Sequence, residues 1–358
     1  VSVSLPLVLP GRRGVKSASN PLLRYLFLRF LLIVPTVLIL VTMVFFLMRL
    51  TGDPITAALG GRLSAAELAT RVAAAGYDRP VIVQYVEYLG GVLRGDFGTT
   101  LSDNRPVTEV LAVYGAATFE LAGYALLVAL IVGVPLGALA ARRRDRMPDI
   151  VLRVLAILSY ATPVFFAGLL LKLVFGVVLD LVPTAGRSST GTELLLSTMP
   201  QPTGLFLVDA LRTGDTSAVT DVLAHAVLPG LTLGLLTAGT FLRLVRTNMI
   251  GTLQAGYVEA GRSRGVSEGR LVSRHAFRPA LIPIITVIGM QIAMLLGGAV
   301  LTETTFEWRG LGFMLGQYLA ARDFVAVQGI VAVLAIIVAV TNFVVDVLAA
   351  LIDPRVRF

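Results

Sequence analysis

The stretch YVEAGRSRGVSEGRLVSRHAFRPALIP, Tyr257 to Pro283, packs five arginines, one histidine and two glutamates between runs almost free of charge. The flanking runs are long enough to cross a bilayer, so the segment reads as a charged turn held at a membrane surface. The rest of the chain bears this out by composition. Of 358 residues, 56% are hydrophobic, only 15% are charged, and mean hydropathy is +0.84. A soluble domain carries about 25% charged residues, so this chain lacks the surface charge to be soluble. Its formal charge of +8 raises nucleic acid as a partner, which the distribution of that charge argues against.

A hydrocarbon core of about 30 Å needs roughly 20 apolar residues in a helix. Six stretches qualify: Phe30–Leu50, Leu121–Ala141, about Ile150–Val182, about Val227–Leu242, Ala280–Thr302 and about Val325–Ile352. The third is longer than a crossing requires, which predicts a tilt or a kink at Pro163. The first is too long for the apolar part of a signal peptide, and RLTGDP is no cleavage site. With both termini inside, the inner pieces (1–26, 142–149, 247–280 and 353–358) hold 15 basic and 5 acidic residues. The outer pieces (51–116, 183–226 and 304–328) hold 9 basic and 13 acidic. That asymmetry fits the positive-inside rule. The reading is therefore an all-α polytopic membrane protein with six transmembrane helices, N-in and C-in, and the basic balance needs no nucleic acid.

Outside the membrane, Ser64 to Glu67 is a capping-box pattern opening a short helix that Gly76 closes. Tyr85 and Tyr88, three apart in VIVQYVEYL, suit a helix at the lipid interface. The polar segment Gly186–Asp221 reads as loop with at most one short helix.

Catalytic constellations are missing. Cysteine is absent, which removes disulfides, thiolate metal sites and cysteine nucleophiles. His225 and His275 fall on opposite sides by this topology and cannot share a metal, so no metal site is expected. GRRGVKS around Lys16 lacks the glycine that directly precedes a phosphate-loop lysine. Ion-coupled carriers place acids near the bilayer midplane, whereas Glu120, Asp180, Glu303 and Asp346 lie near span ends. Asp346 reads as a polar group packed between helices, and Lys172 as a snorkelling side chain. Three uncharged polar groups inside spans, Thr240, Gln291 and Asn342, either hold helices together or line a path.

Within the opening stretch, Ala260 and Gly261 let another surface approach the backbone, and Gly265 supplies the positive φ that ends a short helix. Ser267 is placed to cap a second helix, on which Arg270, Arg274 and Arg278 recur every four residues as one basic stripe. Leu271, Val272 and Ala276 form a narrow apolar face beside it. Anionic headgroups would account for the stripe, but not for the small residues at 260, 261 and 265.

The pattern Glu259-Ala260-Gly261, three residues, then Gly265 resembles the "EAA" loop of bacterial binding-protein-dependent ABC transporter permeases. The usual ending departs here to HAFR at His275–Arg278, followed by ALIP at Ala280–Pro283. RLTGDP (Arg49–Pro54), DRPVIVQYVEYL (Asp78–Leu89), RGDFGTTL (Arg94–Leu101) and ATPVFFAGLLL (Ala161–Leu171) are similar to the dipeptide/oligopeptide permeases of the first-subunit type. So are LVPTAGR (Leu181–Arg187), LPGLTLG (Leu228–Gly234), ETTFEWRGLG (Glu303–Gly312), ARDFVAVQG (Ala321–Gly329) and DPRVRF (Asp353–Phe358). The resemblance runs in order from the first span to the end.

It implies a type I importer permease of the bacterial inner membrane that is not itself an enzyme. The implied division is a cytoplasmic tail (1–26), a first transmembrane helix (27–50), an extracytoplasmic segment with short helices (51–116) and a permease core (117–358). The core includes an outer loop (183–226) and a cytoplasmic coupling loop (247–280). The implied partners are a second homologous permease, two ATPase subunits that bind ATP and Mg, a substrate-binding protein and the lipid bilayer. The chain itself is expected to bind no cofactor. Tyr257, Glu259, Ala260, Gly261, Arg262 and Gly265 become the ATPase-coupling loop, with peptides as cargo. Glutathione, nickel and oligosaccharide importers share the motifs. An ion-coupled secondary carrier is the reading outside the class; its inverted repeat is not visible.

Overall fold

The computed structural model describes residues 21–61 and 63–352; the tail 1–20, Lys16 and DPRVRF lie outside the described residues. Those described form an all-helical membrane protein. Four helices are long and apolar enough to cross a bilayer: α1 (Pro21–Leu50), α5 (Val107–Arg142), α10 (Thr216–Leu253) and α15 (Phe324–Ile352). Two bent helices bring the crossings to six when each is taken as one span. One is α6 (Met147–Ala161) with α7 (Val164–Leu171) and its wide-turn continuation Lys172–Val178. The other is α13 (Phe277–Thr305).

The kink expected at Pro163 is a full break. Proline disfavours helical geometry in the residue before it; Thr162 is accordingly extended, and the two halves meet at 106°. Two other spans outrun their apolar stretches. Helix α5 starts at Val107, directly after Pro106, because its polar residues Thr118 and Glu120 find partners inside the protein. Helix α10 starts where the Asp215 side chain accepts from Ser217 N at 2.8 Å, and it runs on past Arg243 and Arg246 to Leu253. Arg246 continues the helix because Asp149 neutralises it.

Helices α5 and α10 form the central pair. A β-carbon on Gly133 would meet Ala238 O at 2.6 Å, and one on Gly137 would meet Leu242 O at 2.7 Å. Lipid tails provide no hydrophobic drive between helices, so such close backbone packing holds them together. Helix α15 packs against α1, and Arg29 pairs with Asp346 at 3.0 Å, which places Asp346 between helices. The Lys172 ammonium donates to the Thr305 carbonyl at 3.1 Å, at the outer end of α13.

The outer segments carry α2 (Pro54–Leu59), α3 (Ala65–Ala74), α4 (Val81–Leu93), α8 (Thr190–Ser197), α9 (Phe206–Thr213) and α14 (Leu311–Ala320). Ser64 and Glu67 form the capping box, and Gly76 (φ +71°) follows the end of α3. The Tyr85 and Tyr88 rings pack against α1: both lie within 5.4 Å of the Phe45 ring, and Thr42 and Tyr85 share a 2.6 Å hydrogen bond. Desolvation in that contact pushes the Tyr88 phenol up to about 12. Segment 183–226 holds α8, α9 and the start of α10, one short helix more than its polar composition suggested.

Candidate functional site

The Tyr257–Pro283 segment hangs from the inner ends of α10 and α13, which are rooted in one buried cluster. Ala141, Val245, Met249, Ala280 and Ile284 pack there with almost no exposure. Beside it Asp149, fully buried on α6, accepts two bonds from Arg246 on α10, at 2.6 and 2.8 Å. The Asp145 amide donates to the same carboxylate at 2.9 Å, and Arg153 stands 3.8 Å away. A buried carboxylate without such partners would be strongly destabilising. The sequence signal for this anchor is slight: two acids inside the basic run RRRDRMPD.

Beyond the cluster, α11 (Gly256–Ser263) ends in a tight reversal. Val266 N donates to Gly261 O at 3.2 Å and Gly265 N to Arg262 O at 3.0 Å, with Gly265 left-handed at φ +77°. This pair of bonds is the glycine-terminated helix end. Nothing crowds Gly265, so its backbone conformation alone requires glycine. Arg262 reaches across the turn to Glu268 (Nη2 to Oε2, 3.3 Å), and that contact holds the Glu268 carboxyl below its ordinary range.

The chain resumes in α12 (Glu268–Arg270), widens by one residue per turn over Leu271–Ala276, and enters α13. Ser267 occupies the cap position, but its side chain makes no capping bond. Leu271 and Ala276 are fully buried and Val272 is half-buried. Leu271 explains Gly261: a β-carbon there would meet Leu271 Cδ2 at 2.9 Å. Gly261 is therefore small because of packing within the loop. Val258 turns inward with it.

The other face of α11 is open. Tyr257 is 50% exposed, and Glu259, Ala260, Arg262 and Arg264 are exposed with it. Tyr257, Ala260 and Arg264 fall at helical spacing on one side. Arg270, Arg274 and Arg278 are all exposed, and none has a carboxylate within 4.0 Å among the described residues. The wide turn between them skews a stripe read at four-residue spacing.

The three polar groups inside the spans sit in different surroundings. Thr240 lines a cleft between α6 and α10, Gln291 is buried in α13, and Asn342 is exposed on α15. Among the described residues no cluster of His, Asp and Glu could hold a metal ion.

Sequence reasoning missed the buried outer carboxylates. Glu303, fully buried, accepts from Thr118 Oγ1 at 2.7 Å and Phe313 N at 2.8 Å, while Trp308 Nε1 donates to Ala117 O at 2.9 Å. Glu120 pairs with Arg187, whose guanidinium lies 3.7 Å from the Phe206 ring centre. Asp323 accepts from Leu101 N, Ser102 N and Ser102 Oγ at 2.6 to 2.8 Å. ETTFEWRGLG and LVPTAGR thus meet at the outer part of α5, with Gly186 N donating to Phe306 O at 2.9 Å, while RGDFGTTL and ARDFVAVQG meet separately at Asp323.

Comparison with known proteins agrees with this architecture. The family described as binding-protein-dependent transport system inner membrane component matches residues 133–358, and its N-terminal component matches 22–107. The dipeptide transport system permease protein of Escherichia coli (strain K12) is 35% identical over 338 residues, 94% of this chain and 99% of that protein. The di/tripeptide transport system permease protein of Pseudomonas aeruginosa (strain UCBPP-PA14) is 35% identical over 91% of this chain and 96% of its own length. The glutathione transport system permease protein of Salmonella choleraesuis (strain SC-B67) is 33% identical over 94% of this chain and all of its own. The chain therefore belongs to the binding-protein-dependent transport system inner membrane component family, as a multi-pass, non-catalytic permease subunit of an ABC importer.

Proposed function

We propose that this permease pairs with a second, homologous permease and encloses an alternating-access path for di- or oligopeptides delivered by a substrate-binding protein. Two ATPase subunits, which bind ATP and Mg, sit beneath the pair, and one of them receives the α11 turn. The observation that carries this reading is the open face of Tyr257, Ala260 and Arg264 on a turn anchored to both α10 and α13. A movement imposed on that face reaches two spans at once. ATP-driven closure of the ATPases then binds one conformation of the permease better than the other, which is what a conformational switch requires. Arg270, Arg274 and Arg278 supply positive charge for acidic residues of the ATPase or for headgroups at the rim.

Peptide cargo is supported by the names of relatives aligned over nearly the full length. Glutathione, itself a tripeptide, is the second reading, favoured by the glutathione permease among them. The test is ATPase stimulation in proteoliposomes holding this chain with its partner permease, ATPases and binding protein. Stimulation by dipeptides or longer peptides is expected. Stimulation by glutathione or Ni²⁺ alone would overturn the peptide reading and leave the architecture standing.

A further inference from the structure

Where α6 ends at its break, it encloses with α10 a cavity of about 350 Å³. Small-ligand sites start at about this size. The walls are largely apolar, including Ala156, Ile157 and Leu242, yet Arg153, Arg243 and Arg246 also line it, and no carboxylate does. Asp149, behind the wall, is committed to Arg246 through both oxygens and is 3.8 Å from Arg153. Arg243 has no carboxylate within 4.0 Å among the described residues; its guanidinium carbon stands 6.0 Å from the centre of the Tyr160 ring. Three guanidiniums thus face one carboxylate.

A second observation concerns Thr240 on the same wall. Thr232 and Thr237, on the same helix, return their hydroxyls to the carbonyls four residues back, both at 2.8 Å. The Thr240 hydroxyl makes no such bond and has no hydrogen-bond partner among the described residues. The cavity therefore holds a free cation and a free hydroxyl against apolar walls. Arg243 is exposed at the rim of this cavity, ten residues or about 15 Å from the cytoplasmic end of α10, where an anion can reach its guanidinium.

We propose that this cavity is an anion subsite on the transport path and takes the terminal carboxylate of the cargo peptide, with Arg243 as the binding cation and Thr240 as a hydrogen-bond donor. The inference rests on the peptide-importer reading above. The carboxylate is favoured over a lipid phosphate because the cavity is built on α10, the helix that also carries the cytoplasmic turn. Moving that turn moves one wall against the other. The absence of an acid in the lining means that the peptide's ammonium is not bound here, so the subsite reads one end of the cargo.

The chain contains no cysteine, so Thr240→Cys places a single thiol in the cavity. Labelling of this chain in the assembled complex, read by mass spectrometry, compares an anionic with a cationic methanethiosulfonate. The anionic reagent is expected to react faster, on the order of tenfold, and Arg243→Gln should remove that preference. A transported dipeptide should slow the reaction during turnover. Arg243→Gln should lower dipeptide uptake by on the order of tenfold, the value of one charge-assisted hydrogen bond, with partial rescue by Arg243→Lys. Equal rates for the two reagents would overturn the proposal. So would reaction with a lipid-soluble maleimide only, which would assign the site to a phospholipid, or labelling unaffected by a dipeptide that the complex transports. If the unmodified complex transports no peptide, the importer reading has failed; the reagent preference then still decides whether the cavity selects anions.

Discussion

The outer and inner ends of this permease are built on opposite principles. At the outer end Glu303, Asp323 and the Glu120–Arg187 pair are buried, and each carboxylate accepts bonds that bridge separate segments of chain. At the inner end one buried carboxylate, Asp149, ties α6 to α10; past it the ion pair Arg262–Glu268 is exposed and the helix runs through a wide turn. Buried, fully bonded carboxylates hold one geometry, because any departure leaves a charge without partners. Exposed pairs and irregular turns yield at small cost. The contrast supports the proposal that the outer end holds its shape while the inner turn is engaged by an ATPase subunit.

The largest effect should come from the outer end. Glu120→Ala leaves Arg187 in a site where its own side chain is 9% exposed. Removing one partner of a buried pair costs about 3–5 kcal/mol, so thermal unfolding in detergent should show a severe loss. A change under about 1 kcal/mol, the range of a surface pair, would remove the contrast. Asp323→Ala should follow. It strands the Leu101 and Ser102 amides, at about 1–3 kcal/mol each, and should open Arg94–Pro106 to protease before the remainder of the chain.

At the inner end Gly265→Ala forces a side chain into φ +77°, a cost of about 1–2 kcal/mol. The loss should be local, read as faster amide exchange over 256–276 with the melting temperature unchanged. A global drop would mean that the turn is part of the core. The smallest effect concerns Glu268, whose carboxyl is lowered by its bond to Arg262. A lowered carboxylate contributes above its unfolded value, near 4.3, and loses that contribution as pH falls through the folded one. The protection factor of the turn's amides, with intrinsic exchange divided out, should therefore be flat from pH 8 to 6 and fall only under acid conditions. Arg262→Ala should abolish that acid response.

Much of this was legible in the sequence because membrane helices announce themselves by apolar length and charge asymmetry. The capping box at Ser64 and the reversal at Gly265 are local chemistry and were equally readable. What escaped the reading is long-range. Span ends were drawn at Arg243, whereas α10 continues because Asp149, distant in sequence, pairs with Arg246. Gly261 looked like a surface cleared for a partner, yet Leu271 fills the space above it. The polar residues of the LVPTAGR and ETTFEWRGLG motifs gave no sign of their partners, because nothing local records which carboxylate will meet which amide.

Gly261 and Gly265 have structural reasons to be small, so bulk there disturbs the loop itself. Ala260 is exposed and free of those constraints. The decisive measurement is peptide-stimulated ATPase activity, with uptake, of the reconstituted complex carrying Ala260→Trp. With the open face of α11 engaging the ATPase, normal membrane insertion is expected, with stimulation and uptake abolished. Full stimulation and uptake by a well-inserted Ala260→Trp complex would contradict it, because the exposed face of α11 would then not be where the ATPase engages this permease.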